Sequence, residues 1–436
     1  MMTLQDASLG LDRESILPSQ RRILLGVIGL GMLFLLLPRL GGSTLLHVHK
    51  EDGVVFLADF VDRGWSSVFD PYTGYQHWVP RSIAGVCASG PAGWFAGCAG
   101  FGASLVRVVL AVIALAALTP YARSTAWAVA AATVFVWAPV GQQEALGNLT
   151  NLRWFLDAGA VVLLVGVWRR PVLIGLVSLV AIGAAMTDPL AVVIAPLALW
   201  RLVVLPGRAR IVPGLFLVAT LIHFLVLERS ARSSENIYLT DPGGAAAQLG
   251  VRGLSVPFFG QNGTEVLLHL GVAVAMVAGL AGLAVCAFRV RWSPPVALAF
   301  VLAAWGVGLL ALTLTFTDMV MLGFEPEWRL GDGSRYSVPP GILLTMGTVL
   351  VLPWTLERAT RVWRLAVVSV LALMPLAVLA DATGDSANTA DPTWSAEVSR
   401  AREECASGAE TARVQMTPAD VPLDWSTDLP CAWLRR

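Results

Sequence analysis

The chain has 436 residues, of which 56% are hydrophobic and 14% charged, with a mean hydropathy of +0.69. Soluble domains carry about a quarter charged residues, so this composition excludes a water-soluble globular protein of this length and indicates a polytopic membrane protein. Lys+Arg number 30 and Asp+Glu number 30. That balance gives no sign of a nucleic-acid partner, and the placing of the charges becomes the informative feature.

Arg21 and Arg22 precede an apolar run shaped like a secretory signal, but no convincing small-residue cleavage site follows and more apolar runs come after it. It reads as an uncleaved first helix behind a cytoplasmic segment, 1–21. Cutting the apolar runs at charges, Pro and Gly predicts about eleven spans. They fall near 22–39, 102–119, 125–140, 154–168, 171–186, 189–205, 211–227, 265–288, 295–316, 338–355 and 365–380. The expected fold is therefore all-α, a membrane helical bundle over 22–380 with a large first extracytoplasmic loop, 41–101, and an extracytoplasmic tail, 381–436.

The connections alternate in charge. Arg21/Arg22, Arg123, Arg169/Arg170, Arg201/Arg208/Arg210, Arg289/Arg291 and Arg358/Arg361/Arg364 lie on one side, and most acidic loops on the other. The positive-inside rule then predicts a cytoplasmic N-terminus and an extracytoplasmic C-terminus. The cysteines fit that topology. Cys87 and Cys98 fall in the first outer loop, Cys405 and Cys431 in the outer tail, and Cys286 alone in a span. Disulfides Cys87–Cys98 and Cys405–Cys431 are expected in an oxidising compartment, with four unpaired thiols as the alternative. Trp394, Trp425 and Trp433 beside the second pair suggest a small stapled appendage.

Candidate chemistry concentrates at the outer ends of the spans. Glu51-Asp52 is a carboxylate pair that could accept a proton from a hydroxyl, or merely a solvated acidic pair. His47, His49 and His77 could join it around a divalent cation, though H-x-H spacing is weak support and no metal is predicted. Tyr75, His77 and Trp78 offer faces for a sugar ring or anchors at the membrane interface, and Arg81 is a cation on the acidic side. The amide-rich stretch Gln142 to Trp154 contains Asn148, Asn151 and Arg153; it could grip hydroxyls and a phosphate, or simply cap a helix. Asp188 and Asp318 are ionisable groups at outer ends of spans. Arg335-Tyr336 follows a glycine-containing turn; Arg335 could meet a lipid phosphate or pair with Asp332 or Glu327.

Taken in order and sidedness, Glu51-Asp52, Tyr72-Thr73-Gly74-Tyr75 with Pro80-Arg81, Asn148 to Trp154, Thr187-Asp188-Pro189-Leu190 and Arg335-Tyr336 before Pro339 resemble the GT-C superfamily of membrane glycosyltransferases. The likeness is to actinobacterial integral-membrane proteins of that type. It implies short interfacial helices in the first outer loop, a catalytic carboxylate there, and a sugar donor carried on a polyprenyl phosphate. By position the carboxylate is Asp52, with Glu51 as its neighbour or substitute. Arg335, with Arg153 or Arg81 and beside Tyr336, would hold the donor phosphate. Tyr75, His77, Trp78, Asn148, Asn151, Trp154 and Asp188 would meet sugar or acceptor. The expected partners are the lipid-linked sugar, a cell-envelope glycan or lipid acceptor, and membrane lipids. No cofactor is required; no D-x-D metal signature and no nucleotide-binding loop is present. The alternatives are a transporter or lipid-linked glycan flippase, an oligosaccharide polymerase or ligase, and an inactive envelope scaffold.

Overall fold

The computed structural model describes residues 26, 28–33, 36, 45–142, 144–227, 242–287, 290–315, 330, 333–383, 392–417 and 424–436. Most of the first predicted span, and Asp318, Glu327 and Asp332, lie outside them. The described residues are 77% helix and 4% strand. Ala92–Leu118, Gly207–Val226, Pro294–Thr315, Ser334–Arg358 and Arg361–Ala382 are long and apolar enough to cross a membrane. Shorter apolar helices occupy other predicted spans.

We number the helices α1 Ala58–Arg63, α2 Trp78–Ala88, α3 Phe95–Leu118, α4 Thr125–Ala132, α5 Val134–Trp137, α6 Leu152–Val165, α7 Pro171–Ala185, α8 Ala191–Val204 and α9 Ile211–Val226. After them come α10 Pro242–Gly250, α11 Val256–His269, α12 Val272–Ala287, α13 Pro294–Thr315, α14 Val338–Arg358, α15 Arg361–Thr383, α16 Trp394–Ala406 and α17 Cys431–Leu434. Two segments depart from expectation. The predicted span 265–288 is divided: Gly271, at φ +122°, ends α11 and lets α12 start afresh. Residues 242–264, expected as an outer loop, are helical.

Helices α6 and α14 are almost wholly buried and form the centre of the bundle, while α15 keeps a largely exposed face. Polar backbone freed where helices end inside the bundle is taken up by arginines, as an apolar surround requires. Arg107 on α3 donates from Nε and Nη2 to the Phe135 carbonyl at 3.0 and 2.6 Å. Arg201 on α8 donates to the carbonyls of Val165 and Gly166 at the end of α6. Asp381 on α15 accepts from the amides of Gln261 and Asn262, both at 2.9 Å, where α11 kinks at Gly260.

The stretch expected to be the first outer loop, called here the first outer segment, is built rather than loose. Residues 50–69 form helical turns through α1, a tight turn at Thr73-Gly74 follows, and α2 returns to α3. Disulfide Cys87–Cys98 joins α2 to α3 with Cα atoms 5.6 Å apart. The tail folds as α16, a hairpin of β1 Thr411–Gln415 and β2 Ser426–Pro430, and α17, stapled by Cys405–Cys431. Both expected disulfides are present, and Cys286 is free and buried.

This tail docks on the first outer segment. The Trp394 amide donates to the Leu46 carbonyl and its indole to the Ala92 carbonyl, each at 2.7 Å. The Trp433 indole donates to the Ala88 carbonyl at 2.8 Å. Thr417 exchanges backbone bonds with Val48 and Lys50 at 2.9 and 3.1 Å. Two stretches more than 300 residues apart therefore share one end of the bundle.

Helices α13 and α14 pack closely through small residues. A Cβ added at Gly306 would lie 2.9 Å from Pro340 Cα, whereas one added at Gly308, on the same helix, would meet nothing within 4 Å. Gly306→Ala should therefore lower the thermal midpoint of purified protein, by overpacking of about 1–3 kcal/mol. Gly308→Ala should leave it unchanged or raise it slightly.

Candidate functional site

Asp52 opens the helical turn at the start of the first outer segment and is 2% exposed. Its Oδ2 accepts from the Leu149 amide at 2.7 Å, and its Oδ1 from the Thr150 amide and hydroxyl at 2.8 and 2.6 Å. These bonds fasten the first outer segment to the amide-rich stretch before α6. Burial pushes the Asp52 carboxyl up to about 7, against the pull of its three donors. A narrow cavity lined by His47, His49, Asp52, Gly147 and Asn148 reaches it. Glu51 stands beside this arrangement, its side chain 21% exposed and 3.7 Å from His49 Nδ1.

Asn148 and Asn151 knit their own turn. Asn148 Oδ1 accepts from the Asn151 amide at 2.9 Å, and both side-chain amides donate to the Glu144 carbonyl. The turn delivers Arg153 and Trp154 at the start of α6. Arg153 donates to the Tyr75 hydroxyl, lies 3.4 Å from Asp188 Oδ2, and stacks over the Tyr75 and Trp154 rings. Asp188 is fixed by its own turn, its Oδ1 accepting from the Leu190 amide at 2.8 Å. The preceding residues seat α2: Trp78 and Val79 donate their amides to the Met186 carbonyl and the Thr187 hydroxyl.

Arg335 pairs with Glu144 and lies over the Tyr336 ring, whose edge meets Trp154 with centroids 5.3 Å apart. Asp332 and Glu327, the expected partners, lie outside the described residues. Arg252 on the turn before α11 supports the segment leading to Arg335, donating to the Leu330 and Gly333 carbonyls.

His77 is buried in a ring cluster, 4.4 Å from Tyr75, 5.4 Å from Phe56 and 5.6 Å from Tyr72. Burial and the Arg153 and Arg81 charges hold it well below the ordinary histidine range. Burial, with Lys50 and Arg335, lowers His49 to about 3. Both imidazoles are therefore neutral, and no group of three His, Cys, Asp or Glu able to hold a metal is found among the described residues.

Tyr75, Arg153, Trp154, Asp188, Arg335 and Tyr336 thus converge at one end of the bundle, with Asp52 and Glu51 on its flank. Arg81 stands apart. It is buried, donates to Asp59 Oδ2 at 2.8 Å and stacks on Phe56, which holds α2 against α1. Trp78 packs edge-on against Phe69. Sequence reading singled out neither Glu144 as the partner of Arg335 nor Asp157, one helical turn beyond Arg153; the Arg153-x-x-x-Asp157 spacing was the available signal. No family model, curated protein or solved structure matches this chain.

Asp52→Ala would strand buried donors at Leu149 and Thr150, each costing about 1–3 kcal/mol, so a clear drop in thermal midpoint is expected. Two buried imidazoles add a component of stability that acid removes. His49 and His77 have depressed folded values, so their contribution is complete above about 6.5 and is lost as pH falls below it. Asp52 works in the opposite sense between about 4 and 7. The midpoint of His77→Phe, taken relative to the wild type at the same pH, should therefore rise between pH 7.5 and pH 5.

Proposed function

We propose that this protein is a membrane glycosyltransferase that moves a sugar from a polyprenyl-phosphate donor to a cell-envelope glycan or lipid acceptor at the extracytoplasmic face, with inversion. The observation that carries the reading is the meeting of Arg153 and Arg335 with Tyr75, Trp154 and Tyr336 beside the Glu51-Asp52 pair. Two guanidiniums backed by aromatic faces suit a phosphate that leaves with its charge held, because charge-assisted bonds strengthen as the leaving group forms. The GT-C likeness supports the same assignment, including a bundle of eleven spans with its N-terminus in the cytoplasm.

The topology has further support in the packing. The tail and the first outer segment share one end of the bundle with the 144–153, 187–188 and 333–337 turns, while Arg123 pairs with Glu357 and Arg201 caps α6 elsewhere. An even number of crossings between the first outer segment and the tail fits this arrangement.

Within this reading Glu51 is the general base and Asp52 the group that positions it. Asp52 has both oxygens occupied, whereas Glu51 is accessible to an acceptor hydroxyl. Glu51 takes the hydroxyl proton as the oxygen attacks the anomeric carbon, and the bond to the lipid phosphate breaks on the opposite face. No metal or other cofactor takes part in this scheme.

One observation favours a second reading, a proton-coupled transporter: Asp157 is an ionisable residue inside the buried helix α6. Transfer of radiolabelled sugar from a panel of polyprenyl-phosphate sugars, in membranes with matched expression, separates the two. Glu51→Gln should lower transfer by about 100- to 10,000-fold, and Asp52→Asn should retain measurable transfer. Loss in Asp52→Asn alone would make Asp52 the base, and no transfer from any donor by the wild type would favour the transporter.

A further inference from the structure

Asp157 is 1% exposed and lies in the middle of the bundle on α6. Its Oδ2 meets no hydrogen-bond donor. Arg153, four residues earlier on the same helix, is turned toward Tyr75 and Asp188. Asp188 is also 1% exposed, and its Oδ2 has only the 3.4 Å approach of Arg153. One guanidinium therefore faces two buried carboxyl groups, and the charged groups acting on Asp157 among the described residues are Asp188 and Arg153.

Among the described residues, no other cation is placed to balance the pair. His223 is within electrostatic reach of Asp188, but its Nε2 accepts from the Gln76 amide at 3.2 Å while Nδ1 meets the Ala185 carbonyl at 2.6 Å. That pattern requires Nδ1–H and a neutral ring. The Tyr75 hydroxyl accepts from Arg153 and the Tyr336 hydroxyl from Arg335. On the helices packed against α6, Arg107 is spent on the Phe135 carbonyl and Arg201 on the Val165 and Gly166 carbonyls. Helices α7 and α13 carry no ionisable side chain, and the charged groups of α14 are Glu357, paired with Arg123, and Arg358 in its last turn, at the end away from Tyr336. Arg335 is matched by Glu144.

We infer that Asp157 and Asp188 hold a single proton between them, resting on Asp157, and that this pair is a proton-binding site inside the bundle. Two ionised carboxylates against one guanidinium would leave an unmatched buried charge, which an apolar interior does not tolerate. A proton on Asp157 makes the group of three neutral. It also removes a negative charge from behind Arg153, so that an anion approaching Arg153 from the extracytoplasmic side meets less repulsion. The inference stands on the side-chain arrangement and holds for a transferase or a transporter alike.

Infrared spectroscopy of the purified full-length protein tests it, because the carboxylic-acid carbonyl stretch is separate from the carboxylate and amide bands and shifts in deuterium oxide. At pH 7.5, with the Asp52 contribution subtracted by means of Asp52→Asn, the wild type should show a deuterium-sensitive acid band that is lost in Asp157→Asn and, because Arg153 then balances Asp157 alone, also in Asp188→Asn. A wild-type spectrum unchanged by either substitution would overturn the inference, and a band lost in Asp157→Asn but kept in Asp188→Asn would overturn the sharing. Asparagine is a neutral isostere of the protonated acid, so Asp157→Asn should fold with its thermal midpoint unchanged or raised. A large fall in that midpoint would contradict a protonated Asp157. None of these readouts depends on sugar transfer.

Discussion

The Asp52 carboxylate, closed over the amides of Leu149 and Thr150 and the Thr150 hydroxyl, is the contact on which the candidate site depends. A buried carboxylate is stable only where donors surround it, and here the donors come from a stretch about 100 residues further along the chain. By holding that stretch, Asp52 fixes the turn built by Asn148 and Asn151, and the turn fixes where α6 begins. Arg153 and Trp154 lie in the first turn of α6, so the position of the main cation of the site traces back to this anchor.

Around it the bundle solves a general problem of apolar surroundings: every polar group must find a partner within the protein. Arg107, Arg201 and Asp381 each close off backbone where a helix stops or kinks, and Arg252 does the same for the turn that leads to Arg335. Arg153 and Arg335 differ from these. Each is bound to a carboxylate and an aromatic face, at the end of the bundle where the outer segments meet. The tail closes this end from one side through Trp394, Thr417 and Trp433, linking its own fold to that of the first outer segment.

Much of the helical layout was legible because hydropathy reports each span locally. Both cysteine pairs were legible too, since their expected outer placement left few partners. The residues near the site were also legible as polar stretches at the ends of apolar runs. Their pairings were not, because pairing depends on contacts between distant segments. Nothing local marks Asp59 as the partner of Arg81, or Glu144 as that of Arg335, and Asp52 looks no more buried in the sequence than Glu51 beside it. The division of 265–288 was missed for a different reason: His269-Leu270-Gly271 stays apolar enough on average to conceal a backbone turn at positive φ.

Binding of a radiolabelled polyprenyl phosphate without its sugar, to purified protein in lipid nanodiscs, tests the central claim most directly. It asks whether the Arg153 end of the bundle is an anion site for a lipid phosphate. Arg153→Gln should weaken binding at least about tenfold, the loss of one charge-assisted hydrogen bond of about 1.5–3 kcal/mol, whereas Arg123→Gln, on a pair exposed elsewhere on the bundle, should bind as the wild type does. Equal binding by wild type and Arg153→Gln would contradict the account.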